Sequence, residues 1–457
     1  MKRRLARVFS TLRNYPTSIV ALIIIGGLVT ISIVTVITIP YSEARDLWKT
    51  SSQVWEDWPM RAGPVWTNWF RSADKKLPET IIVSTENVEP VSVVPLGAGG
   101  VAKESMTELT FDYAYKVHPS ELGLTFMTEY VSSQPMAAVT WITPDGREFT
   151  VFDSVINKRR HSISTDRTTT RELGTQPIYG LFSAPDDVMR ELIPGSGATP
   201  QTGVYKLRVV TRTFGENDTA DVKLVVYGRV AGVAGTDHYR RNIVIALMWG
   251  TPIALMFGLV AAVGTTCLTF FIAALGAWFG GWVDATIQRI TEVNLMLPVL
   301  PILIMVGIFY TPSIMTILGV VILLGIFTFA IKTYRALFLQ VKNAPFIEAA
   351  RAYGASNLRI IFRYMIPRVA PILIPAFVTL TPGFVFLEAA LAFLGVGDIS
   401  LPTWGKLLNN ANTEGALFRG QFYWVLEPAF MLLVTGFAFA MLGFALDRIF
   451  NPRLRGI

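Results

Sequence analysis

The sequence predicts a polytopic α-helical membrane protein of six transmembrane helices, with a mostly-β, sandwich-like domain inserted between the first helix and the second. Three observations predict it. An unbroken apolar run of about 23 residues, Thr17 to Ile39, lies near the N-terminus, long enough to cross a hydrocarbon core. Five further apolar segments crowd the C-terminal half, and a polar, strand-patterned stretch separates the two groups. The composition agrees, since 52% of the 457 residues are hydrophobic and 16% charged, with a mean hydropathy of +0.46, which argues against a wholly soluble protein.

Residues 1–16 carry Lys2, Arg3, Arg4, Arg7 and Arg13 and no acid, which puts the N-terminal segment in the cytoplasm. Residues 17–40 form the first span. It reads as a retained anchor, because Pro40, Tyr41 and Ser42 follow a long apolar core where a cleaved signal would show small residues.

Residues 41–236 are long enough for a complete domain and, with the N-terminus inside, lie outside the cytoplasm. Leu109 to Tyr115 alternates apolar and polar residues, as a strand with one buried face requires. Thr140–Thr143 and Phe149–Phe152 flank Pro144-Asp145-Gly146 and predict a hairpin. A second hairpin is expected between Val204–Val210 and Val222–Tyr227 across Gly215-Glu216-Asn217-Asp218. The stretch from Ser42 to Phe70, with Trp48, Trp55, Trp58, Trp66 and Trp69, reads either as an amphipathic helix at the outer membrane interface or as tryptophans packed within the domain. Asn217-Asp218-Thr219 matches a glycosylation sequon, a tripeptide too common by chance to carry weight.

The remaining spans fall near 250–277, 292–310, 313–333, 369–394 and 427–446. Six crossings return the C-terminus to the cytoplasm. The loop of about 333–368 is then cytoplasmic, and it carries Arg335, Lys342, Arg351, Arg359, Arg363 and Arg368 against the acid Glu348, with Arg448, Arg453 and Arg455 on the same side. Prolines within or beside the spans, Pro252, Pro298, Pro301, Pro312, Pro371, Pro375 and Pro382, favour bent helices.

Several function classes fall away. The net charge of +7 resides beside apolar spans and no groove-reading motif accompanies it, so nucleic acid is not an expected partner. Cys267 is the sole cysteine and can form no intrachain disulfide. His118 and His161 have no partner at ligand spacing, so no metal site is expected. There is no Gly-x-x-x-x-Gly-Lys-Ser/Thr phosphate loop, no nucleophile elbow and no zinc-protease motif, so the chain is not expected to be an enzyme or to bind a cofactor of its own.

The most informative segment runs from Glu348-Ala349-Ala350 through Gly354, at the seventh position, to Ile366-Pro367 at the twentieth. A carboxylate and two alanines make a good helix start, and glycine permits a sharp change of direction. The segment resembles the EAA loop of importer permeases. Gly235-Thr236-Asp237 with Arg241 resembles the entry motif before the second span, although Arg240 and Asn242 stand where glycine and aspartate are usual. Gly280-Gly281-Trp282-Val283-Asp284 with Arg289 resembles the family's short cytoplasmic loop between the second and third spans, Glu388 to Gly397 and Pro402-Thr403-Trp404-Gly405 resemble the end of the fifth span and the outer loop after it, and Pro452-Arg453 resembles the C-terminal tail. Together they resemble the C-type permease subunit of the dipeptide/oligopeptide (binding-protein-dependent) ABC importer family, over roughly half the chain. The insert is a departure from that family, whose ordinary members have a far shorter segment there.

The resemblance implies a coupling helix at Glu348, Ala349, Ala350, Gly354 and Pro367, docked on a separate ATPase. It also implies the partners: a second permease subunit completing a heterodimer, two ATPase subunits that hold ATP and Mg, and an extracytoplasmic substrate-binding protein, all at the cell membrane with its lipid bilayer. Peptides, oligosaccharides and nickel are all substrates within the family. Glu388 is an acid within an apolar span, which either lines the translocation path or pairs with a neighbouring helix. Two competing readings stand beside this one: a membrane receptor or sensor with an extracytoplasmic ligand-binding domain, supported by the insert, and a membrane-embedded enzyme using Glu388 or Glu292.

Overall fold

The computed structural model describes residues 16–49, 53–96, 102–131, 133–184, 199–310, 313–398 and 401–450. The basic residues from Lys2 to Arg13, Pro312, Pro452, Arg453 and Arg455 lie outside them. The chain divides into two compact units, one of them Thr50–Val244 and the other built from the chain before and after it.

The inserted unit is a two-sheet β-sandwich. One sheet has the order β1 (Ile81–Ser84), β9 (Thr219–Tyr227), β4 (Glu121–Glu129), β7 (Arg160–Ser162). The other runs β2 (Ser92–Leu96), β3 (Ala102–Tyr113), β8 (Gly203–Thr213), β5 (Met136–Ile142), β6 (Glu148–Val155). Every pairing is antiparallel. The period of two in the sequence supplies the core: Ala137, Val139 and Trp141 of β5 and Tyr205, Leu207 and Val209 of β8 join Leu122, Leu124 and Phe126 of β4 and Val222, Leu224 and Val226 of β9. Trp141 is fully buried, with the rings of Phe111, Phe182 and Tyr205 at 5.4–5.6 Å between centroids. Truncating so large a side chain in such a core costs about 3–5 kcal/mol. Two short helices, α3 (Arg167–Leu173) and α4 (Pro177–Phe182), carry Leu173, Leu181 and Phe182 into the same core.

The first expected hairpin forms: β5 and β6 pair from Ile142↔Glu148 outward across a turn in which Gly146 takes φ +85°. The second does not. β8 pairs with β3 and β5, whereas β9 pairs with β1 and β4. The Gly215–Asp218 turn therefore arches from one sheet to the other, its bend held by the Asp218 carboxylate, which accepts from the N–H of Gly215 at 2.7 Å. The tryptophan-rich stretch is not one helix either. Helix α2 (Tyr41–Trp48) is followed by 3-10 turns at Gln53–Trp55 and Val65–Phe70, separated by Pro59 and Pro64, which have no N–H to continue a helix, and by Gly63, which disfavours one. Trp55 is buried against the sandwich while Trp69 is 81% exposed.

The entering and leaving ends of the sandwich are tied together. Gly63 and Val230 form a parallel bridge, and the N–H of Arg61 donates to the Asp237 carbonyl at 3.0 Å. The Thr236 hydroxyl accepts from the N–H of Ala62 and donates to the Pro59 carbonyl. The fully buried Asp237 carboxylate is held by the Arg241 guanidinium at 2.7 Å, a pairing that desolvation makes obligatory.

The helical unit contains α1 (Pro16–Thr38), α5 (Ile243–Phe279), α11 (Asn357–Phe393) and α13 (Phe422–Phe450), each long and apolar enough to cross a membrane. In α1 the hydroxyls of Thr30, Ser32, Thr35 and Thr38 donate to carbonyls one turn back, which hides polar groups along an otherwise aliphatic helix. In place of unbroken helices over 292–310 and 313–333 the chain forms two bent pairs. Helix α6 (Gly281–Met296) turns through 80° into α7 (Val299–Phe309) at Pro298, which has no N–H to give. Helix α8 (Ile314–Ile326) turns through 49° into α9 (Phe329–Lys342). There the amide of Asn294, from α6, donates to the carbonyls of Leu324 and Phe327 that the break leaves open.

Candidate functional site

Glu348 to Pro367 begins in a short helix, α10 (Pro345–Ala352), whose opening proline has its φ preset for the first turn. Its two faces differ. Ile347 and Ala350 are buried in a cluster with Trp278, Tyr334, Phe338, Ile361 and Met365. Glu348, Ala349 and Gly354 are exposed, beside Phe346, Tyr353, Leu358 and Phe362, so that apolar groups with one carboxylate face outward among the exposed Arg351, Arg359 and Arg363. Gly354 takes φ +75°, its N–H donating to the Arg351 carbonyl at 2.9 Å while that of Ala355 donates to Ala350 at 3.0 Å. This is a Schellman closure, in which a side chain at 354 would be strained. Pro367 lies within α11, just after a π-helical turn at Ile361–Met365. Its missing N–H loosens the hydrogen-bond register there.

The segment is braced from the chain between α5 and α6. Gly280 and Gly281, at φ +62° and +52°, reverse the chain. They place Asp284 where both nitrogens of the Arg335 fork reach its carboxylate, the Nε at 2.7 Å. Lys342 donates to the carbonyls of Ala277 and Trp278 at 2.9 and 2.8 Å, covering the end of α5. The Arg351 guanidinium stacks 4.5 Å from the Trp278 ring. The structure thus brings Asp284, Trp278 and Lys342 to the segment that the spacing of Glu348 and Gly354 singled out. Asp284 was visible only as part of a loop motif, and its pairing with Arg335 was not.

Glu388 is buried in α11, hydrogen-bonded to Thr403. Thr403 caps α12 (Trp404–Thr413), accepting from the N–H of Lys406 at 3.2 Å. Glu388, Asp398, Thr403 and Lys406 line a narrow cavity with Phe257 and Val396 that holds about 30 Å³ of water-sized space. Trp404, buried, donates its indole N–H to the Leu247 carbonyl at 2.9 Å, and a Cβ at Gly405 would collide with the Ala389 carbonyl, which fixes α12 tightly against α11. Glu427 of α13 was missed. One oxygen of its carboxylate is buried without a partner, and the signal was its place in an apolar run with Pro428.

Residues 266–456 match the model of the binding-protein-dependent transport system inner membrane component family. The chain is 30% identical over 224 residues to the dipeptide transport system permease protein of Alkalihalophilus pseudofirmus, covering 48% of this chain and 72% of that protein. It is 29% identical over 222 residues to the dipeptide transport system permease protein of Bacillus subtilis, covering 48% and 68%. To the glutathione transport system permease protein of Pectobacterium atrosepticum it is 27% identical over 230 residues, covering 48% and 72%. These similarities do not favour the receptor reading. The chain belongs to the family of binding-protein-dependent transport system inner membrane components, as a permease subunit of a dipeptide/oligopeptide ABC importer.

Proposed function

We propose that this subunit forms half of a translocation path for peptides, its other half supplied by a second permease subunit. ATP and Mg sit on two separate ATPase subunits, and an extracytoplasmic substrate-binding protein delivers the peptide. Counting each bent pair as one span gives six crossings. Both termini are then cytoplasmic, as the basic segments at each end favour, and the sandwich projects from the opposite face. Glu388 and its cavity lie along the path, where a buried carboxyl beside Thr403 and Lys406 meets the polar groups of a passing peptide.

The observation that carries the reading is the division of α10 into an anchored face and an open one. Ile347 and Ala350 hold the helix to the helical unit, and Phe346, Ala349 and Tyr353 remain free to enter a cleft on the ATPase. Glu348→Lys and Gly354→Trp test it in the assembled importer. Each is expected to abolish substrate-stimulated ATP hydrolysis while membrane insertion and the copurification of a second permease persist. Wild-type stimulation in both variants would overturn the assignment.

A further inference from the structure

The sandwich carries a cleft that the permease reading does not use. Its volume is about 520 Å³, within the range of sites for small ligands. One wall is the end of β4, from Phe126 to Tyr130, and the other is the chain Ile156–Arg159 leading into β7. The two walls begin as paired strands and then separate. β7 pairs with β4 only over Gly123–Thr125, and the last link is the N–H of Phe126 donating to the Arg159 carbonyl at 2.7 Å. Beyond it the N–H of Ile156 goes instead to the Pro135 carbonyl, so the strand partner of β4 peels away.

The peeling leaves a strand edge open. The N–H groups of Leu122 and Phe126 leave β4 on the side away from β9, to Ser164 Oγ and the Arg159 carbonyl. Alternation along the strand puts the N–H and C=O of Thr128 on that same side. There no described strand follows. Such an edge is a template for one more extended segment.

The charges around the wedge select among extended segments. Lys158 and Arg159 line it as cations and Glu86, Glu129 and Asp221 as carboxylates, of which Glu129 stands on β4 itself, whereas Asp221 lies on β9 and Glu86 follows β1, across β9 from β4. Lys158 and Glu129 are exposed and form no ion pair with another described residue, whereas Arg159 lies 3.6 Å from Glu56 and Asp221 accepts from the Thr85 hydroxyl at 3.0 Å. Phe126 and Ile156 supply an apolar floor. Four residues of edge, Met127 to Tyr130, extend about 13 Å at about 3.3 Å each. We infer that this cleft binds a short, free-ended extended peptide as an added strand on β4, its backbone on Thr128, its carboxylate near Lys158 and its ammonium near Glu129. The role of such binding in import rests on the reading above; the binding itself does not.

Calorimetric titration of the full chain in lipid nanodiscs, purified without ATPases, with free-ended tetra-alanine tests the assignment independently of coupling. Thr128→Pro removes the edge donor, and exposed Lys158→Glu reverses the cation without touching the core. Each is expected to weaken binding about tenfold, the worth of one hydrogen bond or ion pair. Tetra-alanine acetylated and amidated at its ends, or methylated on its backbone nitrogens, is expected to bind about tenfold more weakly to the wild-type chain. If Thr128→Pro fails to fold, Lys158→Glu and the modified peptides decide. No heat at millimolar peptide overturns the inference. So does binding that Lys158→Glu and backbone methylation leave unchanged, which would place the peptide elsewhere on the chain.

Discussion

Arg240 holds a backbone angle of φ +66°, in the left-handed region where a side chain adds about 1–2 kcal/mol of strain. It stands where glycine is usual in the family, so the strain is what the position normally avoids. Three contacts offset it: Nη1 donates to the Trp58 carbonyl at 2.7 Å, Nη2 pairs with Glu121, and the guanidinium lies 4.3 Å from the Tyr227 ring. Arg240→Gly loses the contacts and regains the backbone, whereas Arg240→Ala loses the contacts and keeps the strain. The melting temperature of the sandwich is therefore expected to fall from wild type to glycine to alanine, with alanine about 1 kcal/mol below glycine. Equal variants would show that the conformation relaxes. His118 gives a second expectation. Its ring is buried against Ser183 Oγ at 2.9 Å, and burial, followed by the positive charge of Arg229, lowers its pKa to about 4. An unfolded histidine protonates near pH 6.5, so the unfolded chain takes up the proton first. Stability contributed here is full above about pH 6.5, declines as pH falls and levels off below about 4, a loss of about 3 kcal/mol. Chemical denaturation at pH 7 and pH 4.5 is expected to show a smaller pH effect in His118→Asn than in wild type.

Elements were legible from sequence where their signal is local. The β5–β6 hairpin follows from Pro144-Asp145-Gly146, and the Gly354 closure from its place as the seventh residue counted from Glu348, because each signal lies within a few consecutive residues. The Gly215–Asp218 signal was equally clear as a reversal and misleading as a pairing. A turn reports that the chain bends back, while the choice of sheet depends on β1 and β4, whose residues precede their β9 partners by 90 residues or more. The same limit applies to the helices. Pro298 announced the 80° bend, but nothing in Phe327-Thr328 announced the 49° one, since its open carbonyls are satisfied by Asn294 from another helix. The peptide cleft was invisible for the same reason, as its parts run from Glu86 to Asp221.

On the scale of the whole molecule, the sandwich owns a core to which, among the described residues, no membrane helix contributes, which predicts independent folding. Residues 53–244 expressed alone are expected to show a β-type circular dichroism spectrum and one cooperative melt. The shorter piece 75–230 is expected to melt lower, because it lacks Trp55, Arg61 and Asp237. A disordered spectrum for 53–244 would mean that the helical unit is needed to fold it. The bridge between Gly63 and Val230 has one more consequence. A body whose entry and exit run side by side can be spliced into a host gene, or lost from it, by a single exchange that leaves the host's own path almost unchanged. The same adjacency allows the old ends to be joined and new ones opened at Gly146, and such a circular permutant is the form in which this domain is expected to tolerate life apart from a membrane.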